Sequence, residues 1–109
     1  MNKNRVDFNN LEWETPSKGV KQKIFLKGNQ RVRLLRFYDD FIEEGWCAKG
    51  HIGYVTDGEM TIDLNGEMVN YKKGDGLWIE SGENSKHKVS ISKGKFVELI
   101  LFEKEYVHS

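Results

Sequence analysis

Apolar and polar residues alternate with period two along most of the chain. Met60, Ile62 and Leu64 share one phase, and Thr61 and Asp63 the other. Val20, Ile24 and Leu26 alternate with Lys21, Lys23 and Phe25, and Val32 and Leu34 with Arg31 and Arg33. Near the C-terminus, Val97, Leu99 and Leu101 alternate with Phe96, Glu98 and Ile100, so both phases are largely apolar there. Period two is the signature of strands, and a strand apolar on both phases predicts cover on both faces. No stretch sustains an apolar stripe at helical spacing. Arg36 to Glu44 has room for one helical turn.

Turn residues divide these runs. They fall at Lys27-Gly28-Asn29, Glu44-Gly45, Asp57-Gly58, Asn65-Gly66, Gly74-Asp75-Gly76, Ser81-Gly82 and Lys93-Gly94. From Glu44 on, most gaps are about eight residues, the spacing of short strands in a sandwich or barrel. Asn65-Gly66 tolerates the positive φ angles of a type I′ turn, whose twist matches two paired strands, so a tight hairpin is predicted there. The expected fold is all-β, strand after strand from about Val20 to Phe102, in a sheet that closes or doubles over to hide its edges. Residues 1–19 are predicted to form an arm that packs on the barrel through Phe8, Leu11 and Trp13, and 20–109 the domain itself. His108, one residue from the end, is expected to be disordered.

The chain has 109 residues, which fits one domain with a real core. Lys plus Arg and Asp plus Glu balance at 17 each, so no long-range field draws in phosphate backbones or anionic lipid. Nucleic acid and membrane are therefore not expected partners. Lys86 to Lys95 reads as a solvated face, because no aromatic platform is interleaved with it. Cys47 is the single cysteine, which excludes an internal disulfide and is compatible with a reducing compartment. No apolar run is long enough for a membrane span or a signal peptide, so the expected location is cytoplasmic.

Metal-type donors cluster in two places. Glu43-Glu44-Gly45-Trp46-Cys47-Ala48-Lys49-Gly50-His51 precedes the strand Ile52-Gly53-Tyr54-Val55, and Gly82-Glu83-Asn84-Ser85-Lys86-His87 follows later. Two imidazoles, a thiol and carboxylates suit borderline divalent metals, although no paired Cys-x-x-Cys is present.

From about Val32 to Phe102 these residues resemble a cupin. His51, six residues and Gly58 match the second half of the first cupin motif, with His51 standing where that motif has Glu. Depending on the spacer, its two His positions fall on Glu44 and Trp46 or on Gly45 and Cys47. Gly74, five residues, Glu80, Ser81 and Gly82 fit the second motif, with Glu80 in place of Pro and His87 two residues late. Trp46-Cys47-Ala48-Lys49-Gly50-His51 also resembles the small cupins with an Asp-His-Trp-Cys-x-Lys-Gly-His motif, with Glu44 for the Asp and Gly45 for the His. The resemblance implies a small single-domain antiparallel β-barrel of jelly-roll type. It also implies that motif residues converge on the barrel mouth, and that copies pair as a homodimer.

Two functions follow from that resemblance. One is a barrel that binds a small polar ligand in its mouth without catalysis, lined by Trp46, Tyr54 and Trp78. The other is a metal-dependent enzyme of isomerase, dioxygenase or decarboxylase type. There His51, His87 and Glu44, or Cys47 as an alternative donor, would hold Fe, Mn, Ni or Zn. The missing His-x-His pair favours the first. A redox sensor built on Cys47 has no resolving cysteine to support it.

Overall fold

The computed structural model describes residues 3–104; His108 lies outside them. Eight strands follow in order: β1 Glu14–Ser17, β2 Val20–Lys27, β3 Gln30–Tyr38, β4 His51–Leu64, β5 Glu67–Lys72, β6 Gly76–Ile79, β7 His87–Ser90 and β8 Phe96–Lys104. Two short 3-10 turns, Phe8–Asn10 and Glu83–Ser85, are the only helical segments among the described residues. Arg36 to Glu44 forms no helix. β3 continues to Tyr38, and the chain then crosses without regular structure to Cys47.

All pairings are antiparallel, in the order β1-β2-β3-β8-β4-β5, with β6 and β7 also on β4. The first half of β4 pairs with β8 and β6, and the second half with β5 and β7. The result is a curled half-barrel, with β1 as an exposed edge strand. Its core combines Val20, Leu35, Leu77 and Ile79 with Val55, Met60 and Ile62 of β4 and Val97, Leu99 and Leu101 of β8. Burying each such side chain is worth about 1.5–3 kcal/mol.

The bend lies inside β4. Val55 pairs with Leu99 but Asp57 with Glu98, so Thr56 is one residue more than β8 supplies. This is a β-bulge. The Thr56 hydroxyl donates to the Glu98 carboxylate at 2.8 Å and steadies the extra residue. Inward side chains are odd-numbered before the bulge, as at Val55, and even-numbered after it, at Met60 and Ile62. Asp57-Gly58, read above as a turn between strands, is therefore a kink within one strand. Gly58 has φ +71°, and a Cβ there would stand 2.0 Å from the carbonyl oxygen of Phe96.

The predicted hairpin is present between β4 and β5. Asn65 and Gly66 both have positive φ, 54° and 107°. The Gly66 amide donates to the Asp63 carboxylate at 2.7 Å. The arm before β2 is more regular than expected, since β1 pairs with β2 at the edge. Ahead of β1, the Lys23 ammonium donates to the Phe8 carbonyl at 2.7 Å, and the Lys23 and Arg36 cations both stand over the Trp13 ring.

Gly66→Val is expected to cost about 1 kcal/mol or more, because only its φ is at stake and nothing crowds the site. Gly58→Ala should cost more, about 3 kcal/mol, because the same φ strain meets a backbone clash. Urea denaturation midpoints check both; equal midpoints for the two variants would contradict the account of the bulge.

Candidate functional site

The curl forms a partly open cavity of about 180 Å³. Leu35, Met60, Ile62, Leu77, Leu99 and Leu101 are among its apolar walls, and Phe37, Phe41 and Val89 extend them. Its polar lining is confined to Arg33, Glu43, Cys47, His51 and His87.

Three of these polar groups meet. The donor atoms of Cys47, His51 and His87 all lie within 4.8 Å of one another. The two imidazole centroids are 5.1 Å apart with the rings edge to face. Cys47 Sγ is 3.8 Å from His51 Nε2. Cys47 and His87 are held together by the backbone. Each donates its N–H to the other's carbonyl at 2.9 Å, an isolated bridge that ties the crossing segment to the start of β7. His51 opens β4 opposite Ile79.

The imidazoles have partners behind them. His87 is only 2% exposed, and its Nδ1 faces the Ser85 carbonyl at 3.3 Å. That contact places the proton on Nδ1 and leaves the Nε2 lone pair free. Burial, the largest influence, pushes the His87 pKa down, so the ring is held neutral. His51 Nδ1 faces the Glu103 carboxylate at 3.6 Å, which favours the same tautomer with Nε2 toward the thiol.

Glu103 is itself enclosed. Arg31 Nε donates to one of its oxygens at 3.2 Å, and Arg33 Nη2 to the other at 3.0 Å. Burial alone would raise its pKa. The His51 contact and the Arg33 and Arg31 charges outweigh burial and bring it down to about 2. The carboxylate is thus a fixed negative charge behind His51.

The donor set fits a metal. A Zn–S bond of ~2.3 Å and a Zn–N bond of ~2.05 Å at a tetrahedral angle span about 3.6 Å. The observed 3.8 Å between Sγ and Nε2 is close to that span. A thiolate with two imidazoles suits zinc, iron or nickel better than manganese, which prefers oxygen donors. A tetrahedral ion held by these three donors would have one position left for a ligand.

The other expected site residues lie elsewhere. Glu44 is exposed, away from the cluster. Its neighbour Glu43 faces inward instead, and its carboxylate accepts the Val89 N–H at 2.8 Å. Trp46, Tyr54 and Trp78 are all exposed and do not line the cavity. Alternation is the reason: Trp46 precedes Cys47, Tyr54 lies between Gly53 and Val55, and Trp78 lies between Leu77 and Ile79, all of the inward phase. Lys86 and Lys88 stand over the Trp46 ring instead. Trp78 borders a separate shallow hollow with Leu64, Glu80 and Asn84.

Arg31, Arg33 and Glu103 are not among the site residues expected from the sequence, and Glu43 enters only within the donor cluster ahead of His51. A signal existed for Glu103, which shares the phase of Val97, Leu99 and Leu101. A charged residue on the core phase of a strand needs a partner.

The sequence model of the AraC-like ligand binding domain matches residues 27–109. No protein of curated function matches the chain in sequence. Solved structures share its fold at low identity. The polyketide cyclase RemF of Streptomyces resistomycificus is 14% identical, with a TM-score of 0.76 over 90% of this chain and 76% of that one. An RmlC-like cupin of Shewanella frigidimarina is 16% identical, with 0.69 over 89% and 87%. The EutQ protein of Clostridium difficile is 21% identical, with 0.65 over 93% and 75%.

In metal-free protein, Glu103→Gln is expected to lower stability by up to on the order of 3 kcal/mol. A carboxylate with a depressed folded pKa contributes fully above its unfolded value of 4.5, and loses that contribution as pH falls toward about 2. The gap between wild type and variant should therefore be constant at neutral pH and close in acid. Urea melts from neutral to acid pH measure it; a gap that does not change with pH would contradict the burial of an ionised Glu103.

Proposed function

Since the chain belongs to the AraC-like ligand binding domain family and has the cupin fold, we propose that it binds a small molecule through a metal ion held by Cys47, His51 and His87. One observation carries this reading. Three soft or borderline donors converge at the polar end of a cavity whose other walls are apolar. The ligand that suits such a cavity has one polar, metal-seeking group and a compact apolar body. Leu35, Leu99 and Leu101 would bury the body and exclude water, and the open coordination position would take the polar group. Glu103 would keep His51 turned toward the ion, and Ser85 would do the same for His87.

The proposed setting is the cytoplasm, where a reducing environment keeps the single thiol free for coordination. The domain is proposed to work there as a homodimer. Among the described residues, no helix is long and apolar enough to cross a membrane.

A metal-dependent enzyme on the same three residues is the second reading, favoured by a three-donor cluster lining a partly open cavity. A bound metal there would supply Lewis acidity or redox chemistry to a substrate. A ligand recovered unchanged after incubation with the loaded protein supports binding alone, whereas turnover supports the enzyme.

Chelator-treated protein titrated with Co(II) tests the site. One ion per chain is expected, with a thiolate-to-cobalt charge-transfer band. Cys47→Ser should remove the band, and His51→Ala should weaken uptake by at least about tenfold. Phenylimidazole, an apolar ring carrying one donor nitrogen, should then shift the visible cobalt bands. Leu99→Trp, which fills the cavity, should block that shift and leave cobalt bound. No uptake by folded wild type would refute the metal reading.

A further inference from the structure

The three donors come from opposite layers of the half-barrel. The larger layer contains β1, β2, β3, β8, β6 and the first half of β4, and it carries His51 with Glu103 behind it. The smaller layer contains β5, β7 and the second half of β4, and it carries His87. Cys47 belongs with the smaller layer, because its backbone bonds run to His87.

His51 is the first residue of β4, and His87 pairs with Leu64, the last. Laid straight, 13 steps of about 3.3 Å would hold the two ends of that strand ~43 Å apart. Yet the imidazole centroids of His51 and His87 are 5.1 Å apart. The bend at Thr56 returns the two ends of one strand to each other, and the donors sit where the curl meets. Few polar contacts fasten that meeting point. Among the described residues, the hydrogen bonds of residues 43–47 run to β7, from Glu43 to the Val89 amide and between Cys47 and His87. Toward the larger layer these residues make one polar contact, the long one from Cys47 Sγ to His51 Nε2 at 3.8 Å. Glu43, Cys47 and Val89 line the cavity from the smaller layer's side, and Leu35, Leu99 and Leu101 from the larger layer.

We infer that one ion held by Cys47, His51 and His87 is a clasp between the layers, so that metal and ligand tighten each other's binding even when the ligand makes no bond to the metal. The inference rests on the metal reading above and adds to it a form of regulation. Ligation joins His51 of one layer to the Cys47–His87 pair of the other, and so fixes the spacing of the cavity walls. An apolar body in the cavity fixes the same spacing from within, by packing on both walls. Whichever binds first bears the loss of freedom, and the second meets walls already ordered. The coupling is reciprocal, and such couplings span about 5–150-fold.

A probe without a donor atom separates the clasp from simple coordination. A cavity of about 150 Å³ takes benzene, so fluorobenzene suits this one of about 180 Å³. Chelator-treated and Zn(II)-loaded protein are each titrated with fluorobenzene, followed by fluorine NMR. Zinc should tighten fluorobenzene at least about fivefold, and saturating fluorobenzene should tighten zinc by the same factor. Hydrogen exchange of wild type needs no ligand: zinc should slow the amides of Cys47, His87 and Val89 and leave those of β1 and β2 unchanged. His51→Ala removes the one donor that the larger layer contributes. With zinc in excess, this variant should show neither the tightening nor the slowed exchange. No zinc uptake by folded wild type overturns the metal reading and the clasp together. Zinc uptake without tighter fluorobenzene binding, whether or not exchange slows, overturns the clasp alone, as does tightening that survives His51→Ala.

Discussion

At Thr56, β4 holds one residue more than its partner β8, and the inward phase of the strand changes from odd to even. Everything inside the half-barrel depends on that change. Without it, an inward His51 and Val55 would place Met60 and Ile62 on the outside. With it, one 14-residue strand lines both walls of the cavity and carries four neighbours, β8, β6, β5 and β7. The bulge is tolerated because Thr56 finds a hydrogen-bond acceptor in Glu98, and because Gly58 has no Cβ to strike the backbone of β8.

The polar end of the cavity is built on this frame from separate parts of the chain. Cys47 comes from an irregular crossing, His51 from the start of β4, and His87 from the start of β7. A pair of backbone hydrogen bonds sets Cys47 against His87. Behind His51 stands Glu103, neutralised by Arg31 and Arg33. Burying a carboxylate costs several kcal/mol unless it is paired, and here two guanidinium groups pair it. The arrangement spends charged residues inside a small domain on keeping an imidazole oriented, which is the logic of a binding site rather than of a core.

The same strands work on both faces. On β4 and β8, His51 and Glu103 point in while Ile52 and Phe102 point out. A sheet with one apolar face needs no cover on the other. This one is apolar on both, and its own arm covers part of the outside.

Much of this architecture is written locally. Period-two alternation marks Val20 to Leu26, Arg31 to Leu34, Met60 to Leu64 and Val97 to Leu101 as strands, and Asn65-Gly66 as a hairpin, because both signals depend only on a few adjacent residues. Cys47, His51 and His87 were also visible, as donors of the right chemistry flanking Gly-rich turns. Alternation does not say which phase is inside. On β3 the apolar Val32 and Leu34 face outward, and Arg31 and Arg33 face the interior, because Glu103 waits across the strand pair. Nor does local sequence separate Glu43 from Glu44, or Cys47 from Trp46; the bond from Glu43 to the Val89 amide and the bridge to His87 decide both. Asp57-Gly58 has the composition of a turn and becomes a bulge only because β8 continues alongside it. Strand identity is a property of neighbouring residues, whereas side-chain direction is set by partners far away in the chain, and only the folded sheet brings those partners together.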